Sequence, residues 1–216
     1  PNKLVERATA VHNKDIIDFS AFHILSDPIN GDRLQKYLEN LLQAKDFRDL
    51  KIKTVAVATD LEKVSSFPIA SGPIAPAVNA SCAVPKVFRP LRLYGRVLVD
   101  GGMAATVPVA IAQRYHPKLI IAVNVSPHAL EPGRKDSFAE NLDAQKAAIA
   151  QADVLIMPDV GDFKAFSDKH NLELVQAGRK AAEDKLDDIK GFLAKEGIAM
   201  KPVLRENWYT VKHSSQ

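Results

Sequence analysis

The stretch Val97-Leu98-Val99-Asp100-Gly101-Gly102-Met103 places an acidic residue directly after a short apolar run and directly before two glycines. Three aliphatic residues in succession predict a buried strand. A carboxylate just past the C-terminal end of such a strand lies where open α/β sheets place their ligand-binding groups. Because an ionised carboxylate is costly to bury unless it is paired or used, two interpretations of Asp100 stay open. It is either a functional acid or a cap for the following loop, in which Gly101 and Gly102 allow a sharp turn.

Helical and extended patterns alternate on both sides of this stretch. Leucines at helical spacing predict a helix that begins at Asp32, and small residues predict another over 72–83. The run at 119–125 is apolar on both faces, which is typical of a strand covered on both sides of a sheet. Hairpin-like pairs are expected where 54–59 meets 64–69 and where 89–93 meets 96–99. The alternation predicts a layered α/β fold.

Composition excludes several classes of protein. The 216 residues include 46% hydrophobic and 25% charged residues, as in ordinary globular proteins, and no apolar run is long enough for a membrane-spanning helix. The net charge of +3 is spread over interspersed acids and bases, so no nucleic-acid partner is expected. Because Cys82 is the single cysteine, an internal disulfide is excluded. It lies in an apolar run, so we expect it to be a small residue buried in the core. The six histidines lack metal-ligand spacing, so neither a metal nor a cofactor is expected.

Three patches in a fixed order carry a family resemblance. They are Thr59-Asp60-Leu61-Glu62, Ala80-Ser81-Cys82-Ala83-Val84-Pro85 with Phe88-Arg89-Pro90, and Asp100-Gly101-Gly102 with Val107-Pro108-Val109. Together they resemble the patatin-like phospholipase family, in its bacterial and neuropathy-target-esterase-like branch. The resemblance covers about residues 1–190, and it implies a three-layer α/β/α fold with a central, mainly parallel sheet. It predicts a partial hydrolase domain over residues 1–196 and a C-terminal tail over 197–216.

The resemblance implies a lipid acyl hydrolase that uses a Ser–Asp dyad and no histidine. Asp100 matches the dyad acid, and Gly101 and Gly102 match the glycines that keep the approach to it clear. A carboxylate can take up or orient the proton of a serine hydroxyl held within hydrogen-bond reach. The implied substrates are acyl esters of lipids, of the phospholipase A or lysophospholipase type. A peripheral membrane contact fits such a substrate, although no amphipathic anchor is evident. The sequence leaves the compartment open, and we expect a soluble chain, bacterial cytoplasmic or peripheral to a membrane.

One departure from the family pattern is as informative as the match. The family's nucleophile lies in a Gly-x-Ser-x-Gly elbow, and none of the ten glycines of this chain belongs to such a motif. The glycine-rich oxyanion loop has no counterpart either. The resemblance therefore implies the C-terminal portion of the domain, without its first strand and its nucleophile elbow. We expect this chain alone to be inactive, with Ser81 and Cys82 as packed residues at a helix end rather than substitute nucleophiles.

Other acids and histidines are weaker candidates. Asp60 and Glu62 could be a pair of catalytic acids, but capping of the turn after a strand is the more economical reading. Asp153 and Asp159 flank an apolar strand and are expected in loops. A histidine triad has no support from spacing at any of the six positions, 12, 23, 116, 128, 170 and 213. A Ser–His acyltransferase relative is disfavoured on the same ground.

Two functional hypotheses follow. The chain is the acid-bearing part of a lipid esterase, or it is a catalytically inactive patatin-like module that binds lipid or a partner. The missing first strand predicts an unpaired apolar edge at residues 54–59 or 97–99. We expect another chain, or an N-terminal segment, to complete the sheet there. The loop at 127–137 is expected to be shorter than is usual in the family.

Overall fold

The fold is mixed α/β, as the alternating pattern predicts. It is described here from a computed structural model, for residues 2–17, 28–126, 129, 140–161 and 169–199. The helices are α1 (Asn2–Ala10), α2 (Asn13–Ile16), α3 (Asp32–Leu41), α4 (Ile74–Ser81), α5 (Gly102–Ala105), α6 (Val109–Gln113), α7 (Leu142–Ile149), α8 (Asn171–Asp184) and α9 (Leu186–Lys195). The strands are β1 (Ala56–Asp60), β2 (Ser65–Ile69), β3 (Leu91–Leu93), β4 (Arg96–Asp100), β5 (Ile121–Val123) and β6 (Val154–Ile156).

The larger sheet corrects the expectation of a mainly parallel arrangement. Its strand order is β2-β1-β4-β3, and each neighbouring pair is antiparallel. The reason is the length of the connections. A four-residue turn joins β1 to β2 and the pair Tyr94-Gly95 joins β3 to β4, and such short turns can only return the chain antiparallel. Within the described residues, parallel pairing is found between β5 and β6.

The expected unpaired edge is also wrong for the two segments named. β1 and β4 are the inner strands of the four-stranded sheet, so each is hydrogen-bonded on both sides. The hairpin partners β2 and β3 occupy the outer positions and protect the inner strands. An additional strand is therefore not needed to pair either segment.

Helix α4 forms the main core with one face of this sheet. Ala77 and Ala80 of α4, Ala58 of β1 and Leu98 of β4 are all 0% exposed. The small alanines allow the helix to pack closely on the strands, as the small-residue pattern over 72–83 predicts. Because residue 100 lies on the same face of β4 as Leu98, this packing brings the C-terminal end of α4 next to Asp100.

The smaller sheet departs from the expectation of a strand buried on both faces. Ala122 of β5 packs in a second core with Val107, Val109 and Ile149, but Ile121 and Val123 are 43% and 49% exposed. Within the described residues, β5 therefore has one covered face and one open face. Apart from Ala129, the loop predicted at 127–137 lies outside the described residues, as does the tail beyond residue 199. The domain division therefore stays a prediction. No helix in the described ranges is both long and apolar enough to cross a membrane.

Candidate functional site

The end of strand β4 is attached to the end of helix α4 through the backbone. The Asp100 N–H donates to the Ala83 carbonyl oxygen at 2.9 Å, and the Gly101 N–H donates to the Ser81 carbonyl oxygen at 3.2 Å. The second bond satisfies the carbonyl group of Ser81, the last residue of α4, which the helix itself leaves without a partner. Backbone hydrogen bonds alone therefore fix the position of Asp100 relative to α4.

The side chain of Asp100 is half-buried and only partly hydrogen-bonded. Its Oδ1 accepts a hydrogen bond from the Gly102 N–H at 2.7 Å, at the start of α5. Burial raises the pKa of this carboxyl above its ordinary value, and the Gly102 N–H offsets part of that rise. Among the described residues, no cation and no second donor contacts it. Asp100 therefore does cap the loop, as one interpretation predicted, and its other oxygen stays available.

Gly101 is required for a different reason from the one the sequence suggests. Its backbone is helical, with φ −63 and ψ −27, so no left-handed turn demands a glycine. A Cβ at this position would lie 2.1 Å from the carbonyl oxygen of Val57 in β1. The glycine therefore permits a close approach of two backbones, and Gly102 contributes the N–H that holds the carboxylate.

Thr59 is a supporting residue that the sequence did not identify. It is 0% exposed, and its hydroxyl donates to the Asp100 carbonyl oxygen at 2.8 Å. The same hydroxyl oxygen accepts a hydrogen bond from the Ala104 N–H at 3.2 Å. One side chain thus joins β1, the end of β4 and α5. A threonine in an apolar strand gives no signal for this role, because threonine is common in strands for its shape alone.

A cavity of about 330 Å³ lies beside the two glycines. Its lining consists of Val55, Ala56, Val57, Ser81, Gly101, Gly102, Ala105, Thr106 and Pro108. Asp100 itself does not line it, but the next two residues of the chain, Gly101 and Gly102, do. The lining combines aliphatic side chains with the polar side chains of Ser81 and Thr106.

Ser81 and Cys82 do not have the environment of nucleophiles. The Ser81 hydroxyl donates to the Val57 carbonyl oxygen at 2.7 Å and so helps to bind α4 to β1. Residue Cys82 is exposed, which corrects the prediction of a buried small residue, because it lies just beyond the last turn of α4. Its thiol is nevertheless partly shielded from solvent by neighbouring groups, and this desolvation, together with the charge of Asp100, raises the pKa of the thiol to about 11. A thiol with such a pKa is protonated at neutral pH and is a poor nucleophile.

The other acids have structural roles. Asp60 accepts hydrogen bonds from the N–H groups of Glu62 and Lys63, and its carboxylate pairs with Arg96. This confirms the predicted turn cap and removes Asp60 from the candidate catalytic acids. Asp153 accepts from the Ile120 N–H and Asp159 from the Gly161 N–H, so both are loop acids as predicted.

The described histidines are at positions 12, 116 and 170, and those at 23, 128 and 213 lie outside the described residues. Among the side chains that the structure describes, no group of three histidines, cysteines or acids could hold a metal ion.

Comparison with known proteins gives one family match. Residues 8–112 match the family model of patatin-like phospholipases. Over 106 residues the chain is 30% identical to an uncharacterized NTE family protein of Mycobacterium tuberculosis strain H37Rv, and an uncharacterized NTE family protein of Mycobacterium bovis matches equally well. Each alignment covers 49% of this chain and 29% of the relative. Over 189 residues the chain is 23% identical to the uncharacterized protein YqhO of Bacillus subtilis strain 168, covering 71% of this chain and 65% of YqhO.

The position and length of these matches test the expectations about the fold and about which part of the domain this chain represents. The family match agrees with the mixed α/β fold of this chain. It lies toward the N-terminal end of this chain and does not support the expectation that the chain is only the C-terminal portion of such a domain. The chain spans less than two thirds of the length of these relatives. Asp100, Gly101 and Gly102 all lie within the matched residues.

Proposed function

We propose that this chain is part of a patatin-like lipid acyl hydrolase in which Asp100 is the acid of a Ser–Asp dyad. The observation that carries the proposal is the state of the Asp100 carboxylate. It is half-buried with a raised pKa, is held by the Gly102 N–H through Oδ1, and has an oxygen without a partner among the described residues. A carboxylate without a cation is costly to keep in such a place unless it is used.

The chemistry assigned to Asp100 is general-base catalysis. Its free oxygen takes the proton of a serine hydroxyl while the serine oxygen bonds to the acyl carbon of a lipid ester. The alcohol of the ester leaves with that proton, and water then releases the fatty acid from the serine. A raised pKa improves the carboxylate as a proton acceptor at neutral pH. The hydrogen bond from Gly102 keeps the carboxylate in one orientation through these steps.

The serine and the oxyanion donors are assigned to residues that this chain does not contain. No Gly-x-Ser-x-Gly motif occurs in its 216 residues, and the hydroxyl of Ser81 is engaged with Val57. We infer that a serine-bearing segment, on the same or another polypeptide, is placed beside Gly101. The cavity lined by Gly101 and Gly102, the two residues that follow Asp100, offers space for such a segment.

Ester hydrolysis tests the proposal in two steps. The purified chain is expected to leave a short-chain nitrophenyl ester unhydrolysed. In a polypeptide that joins this chain to a serine-bearing segment, Asp100→Asn is expected to lower kcat by about 100-fold or more, the usual contribution of a general base. The matched control is Asp159→Asn, a loop acid whose replacement should leave kcat unchanged. Retention of most activity in the Asp100 variant would remove this residue from the mechanism.

A catalytically inactive binding module is the second candidate. The missing nucleophile motif favours it directly. It predicts that Asp100→Asn leaves lipid binding unchanged and that no serine-bearing segment restores hydrolysis. Esterase activity of the joined polypeptide would rule it out.

A further inference from the structure

The loop before strand β1 exposes an aliphatic side chain to an unusual degree. Ile52 is 80% exposed, more than any other large hydrophobic residue among those described. The hydroxyl of Thr54 donates to the Ile52 carbonyl oxygen at 3.0 Å and holds the loop in shape. Lys51 and Lys53 flank Ile52, and both are exposed. A single exposed aliphatic residue is common on protein surfaces, so only the residues around Ile52 can show whether it belongs to a binding surface.

A second segment contributes an aromatic residue to the same surface. Tyr115 follows helix α6 and is 41% exposed. The Lys53 Nζ lies 4.4 Å from the centroid of the Tyr115 ring, within the range of a cation–π contact. This contact joins residues 50–54 and 113–118 into one surface, which we call the basic apolar patch.

The charges of the basic apolar patch have one sign. Its four cations are Lys51, Lys53, Arg114 and Lys118, all of them exposed, and neither segment contains a carboxylate. Within the described part of the chain, none of the four forms an ion pair. The nearest acids in sequence, Asp46 and Asp49, act on Arg48 instead, which pairs with Asp46 at 2.8 Å.

This combination matches the chemistry of an anionic lipid surface. An aliphatic side chain can enter the acyl region, a tyrosine ring suits the headgroup level, and lysine and arginine are attracted to anionic headgroups. An acidic protein or a nucleic acid would use the four cations, but it would leave Ile52 without a role. We propose that the basic apolar patch docks this protein on membranes that contain anionic lipid.

The basic apolar patch lies near the cavity, so docking would serve lipid hydrolysis. This part of the inference rests on the proposed function. Val55 lines the cavity beside Gly101 and lies three residues from Ile52, a span of at most about 10 Å. Pro108 also lines that cavity, and it directly precedes α6, the helix that leads to Tyr115. A membrane that holds the patch would therefore present its lipids near the cavity.

Vesicle sedimentation tests the docking without any catalysis. The vesicles consist of diether phosphatidylcholine, with or without diether phosphatidylserine, because ether lipids contain no acyl ester to hydrolyse. We expect the chain to sediment with the anionic vesicles only and to be released at high salt, which screens exposed charges. A failure to bind would overturn the docking proposal and leave the proposed hydrolysis untouched. Normal docking without esterase activity in the joined polypeptide would do the reverse.

Substitutions locate the surface. Lys51→Glu is expected to weaken binding by about fivefold or more, and Ile52→Ser by about tenfold, since both remove interactions with the bilayer. The matched controls are Lys63→Glu, at the opposite end of β1, and Leu4→Ser, in which a leucine that is 74% exposed on α1 is replaced. Both controls should bind as the unmodified chain does.

Two results would contradict the proposal even if the chain binds vesicles. The first is an equal loss of binding in the control variants, which would place the docking surface elsewhere. The second is binding that Lys51→Glu weakens and Ile52→Ser does not, because a purely charged contact would fit an acidic macromolecule as well as a membrane. Circular dichroism of each variant verifies that these exposed substitutions leave the fold intact.

Discussion

Gly101 and Val57 come so close together that the structure has no room for a side chain between them. A Cβ on Gly101 would lie 2.1 Å from the Val57 carbonyl oxygen, and that oxygen also accepts a hydrogen bond from the Ser81 hydroxyl at 2.7 Å. The loop that carries the candidate acid is therefore pressed against β1 by backbone contacts. The position of Asp100 depends on this approach as much as on its own hydrogen bonds.

Gly101→Ala is expected to destabilise the chain by about 1–3 kcal/mol, since an added methyl group would have to displace fixed backbone atoms. Urea unfolding monitored by circular dichroism measures the change. Gly178→Ala is the matched control, because Gly178 lies inside helix α8 and a Cβ there meets nothing within 4 Å. That control should gain about 0.5–1 kcal/mol from the higher helix propensity of alanine. Equal effects of the two substitutions would show that the close approach to Val57 is not limiting.

Asp100→Asn is expected to stabilise the isolated chain at neutral pH. Burial raises the folded-state pKa of Asp100, so the folded protein binds this proton more tightly than the unfolded chain does. The stability associated with that proton is present below the unfolded pKa and is lost as the pH rises through the folded pKa. Asparagine keeps an oxygen for the Gly102 N–H and carries no charge. Urea unfolding at several pH values should give a stabilisation that disappears below about pH 4. A loss of stability at neutral pH would indicate that the ionised carboxylate has a favourable partner.

Alkylation of Cys82 reports on the charge of Asp100. With a pKa raised from 9.0 to about 11, the thiol has about 100-fold less thiolate at neutral pH than an unperturbed cysteine. Iodoacetamide should therefore react slowly with the native chain, although Cys82 is exposed. Asp100→Asn should increase the rate, because it removes one cause of the raised pKa, whereas Asp159→Asn should not. Because desolvation is the larger cause of the raised pKa, the increase should be partial, and an unchanged rate in the Asp100 variant would contradict the proximity of the two groups.

Arg96→Met is expected to destabilise the chain much more than Arg48→Met. Arg96 pairs with Asp60, whose side chain is only 4% exposed, while Arg48 is itself 75% exposed in its pair with Asp46. Removing Arg96 leaves a buried carboxylate without its partner, whereas an exposed pair contributes little. Burial raises the pKa of Asp60, but hydrogen bonds from Arg96 and from the Glu62 and Lys63 N–H groups lower it overall. The stability from this pair is therefore present above the unfolded pKa and is lost in acid.

The difference between Arg96→Met and the unmodified chain should consequently shrink as the pH falls. A protonated Asp60 needs no cation, so both proteins then lack the ion pair. Thermal unfolding over a range of acidic pH values provides the measurement. A difference that stays constant with pH would mean that Arg96 contributes through its packing over the Phe67 ring, 4.7 Å away, rather than through its charge.

Several secondary-structure elements and the candidate acid could be predicted from local sequence patterns. The leucine spacing predicts helix α3, and the apolar runs on either side of short turns predict both hairpins. The run from Val97 to Asp100 predicts a strand that ends on a carboxylate, and the structure contains all of these elements. These features depend on residues close together in the chain, so periodicity and turn chemistry are sufficient to predict them. The matched patches likewise indicated the family whose model covers residues 8–112.

How these elements pack against one another could not be predicted from such patterns. The antiparallel order that places β1 and β4 inside the sheet depends on pairing between strands separated in sequence. The hydrogen bond from Thr59 to the Asp100 carbonyl and the close approach of Gly101 to Val57 likewise join residues more than forty positions apart. Such contacts arise from the packing of whole elements, which no local pattern encodes. For that reason the sequence could name Asp100, whereas the raised pKa of its carboxyl group and the cavity lined by Gly101 and Gly102 follow from the fold.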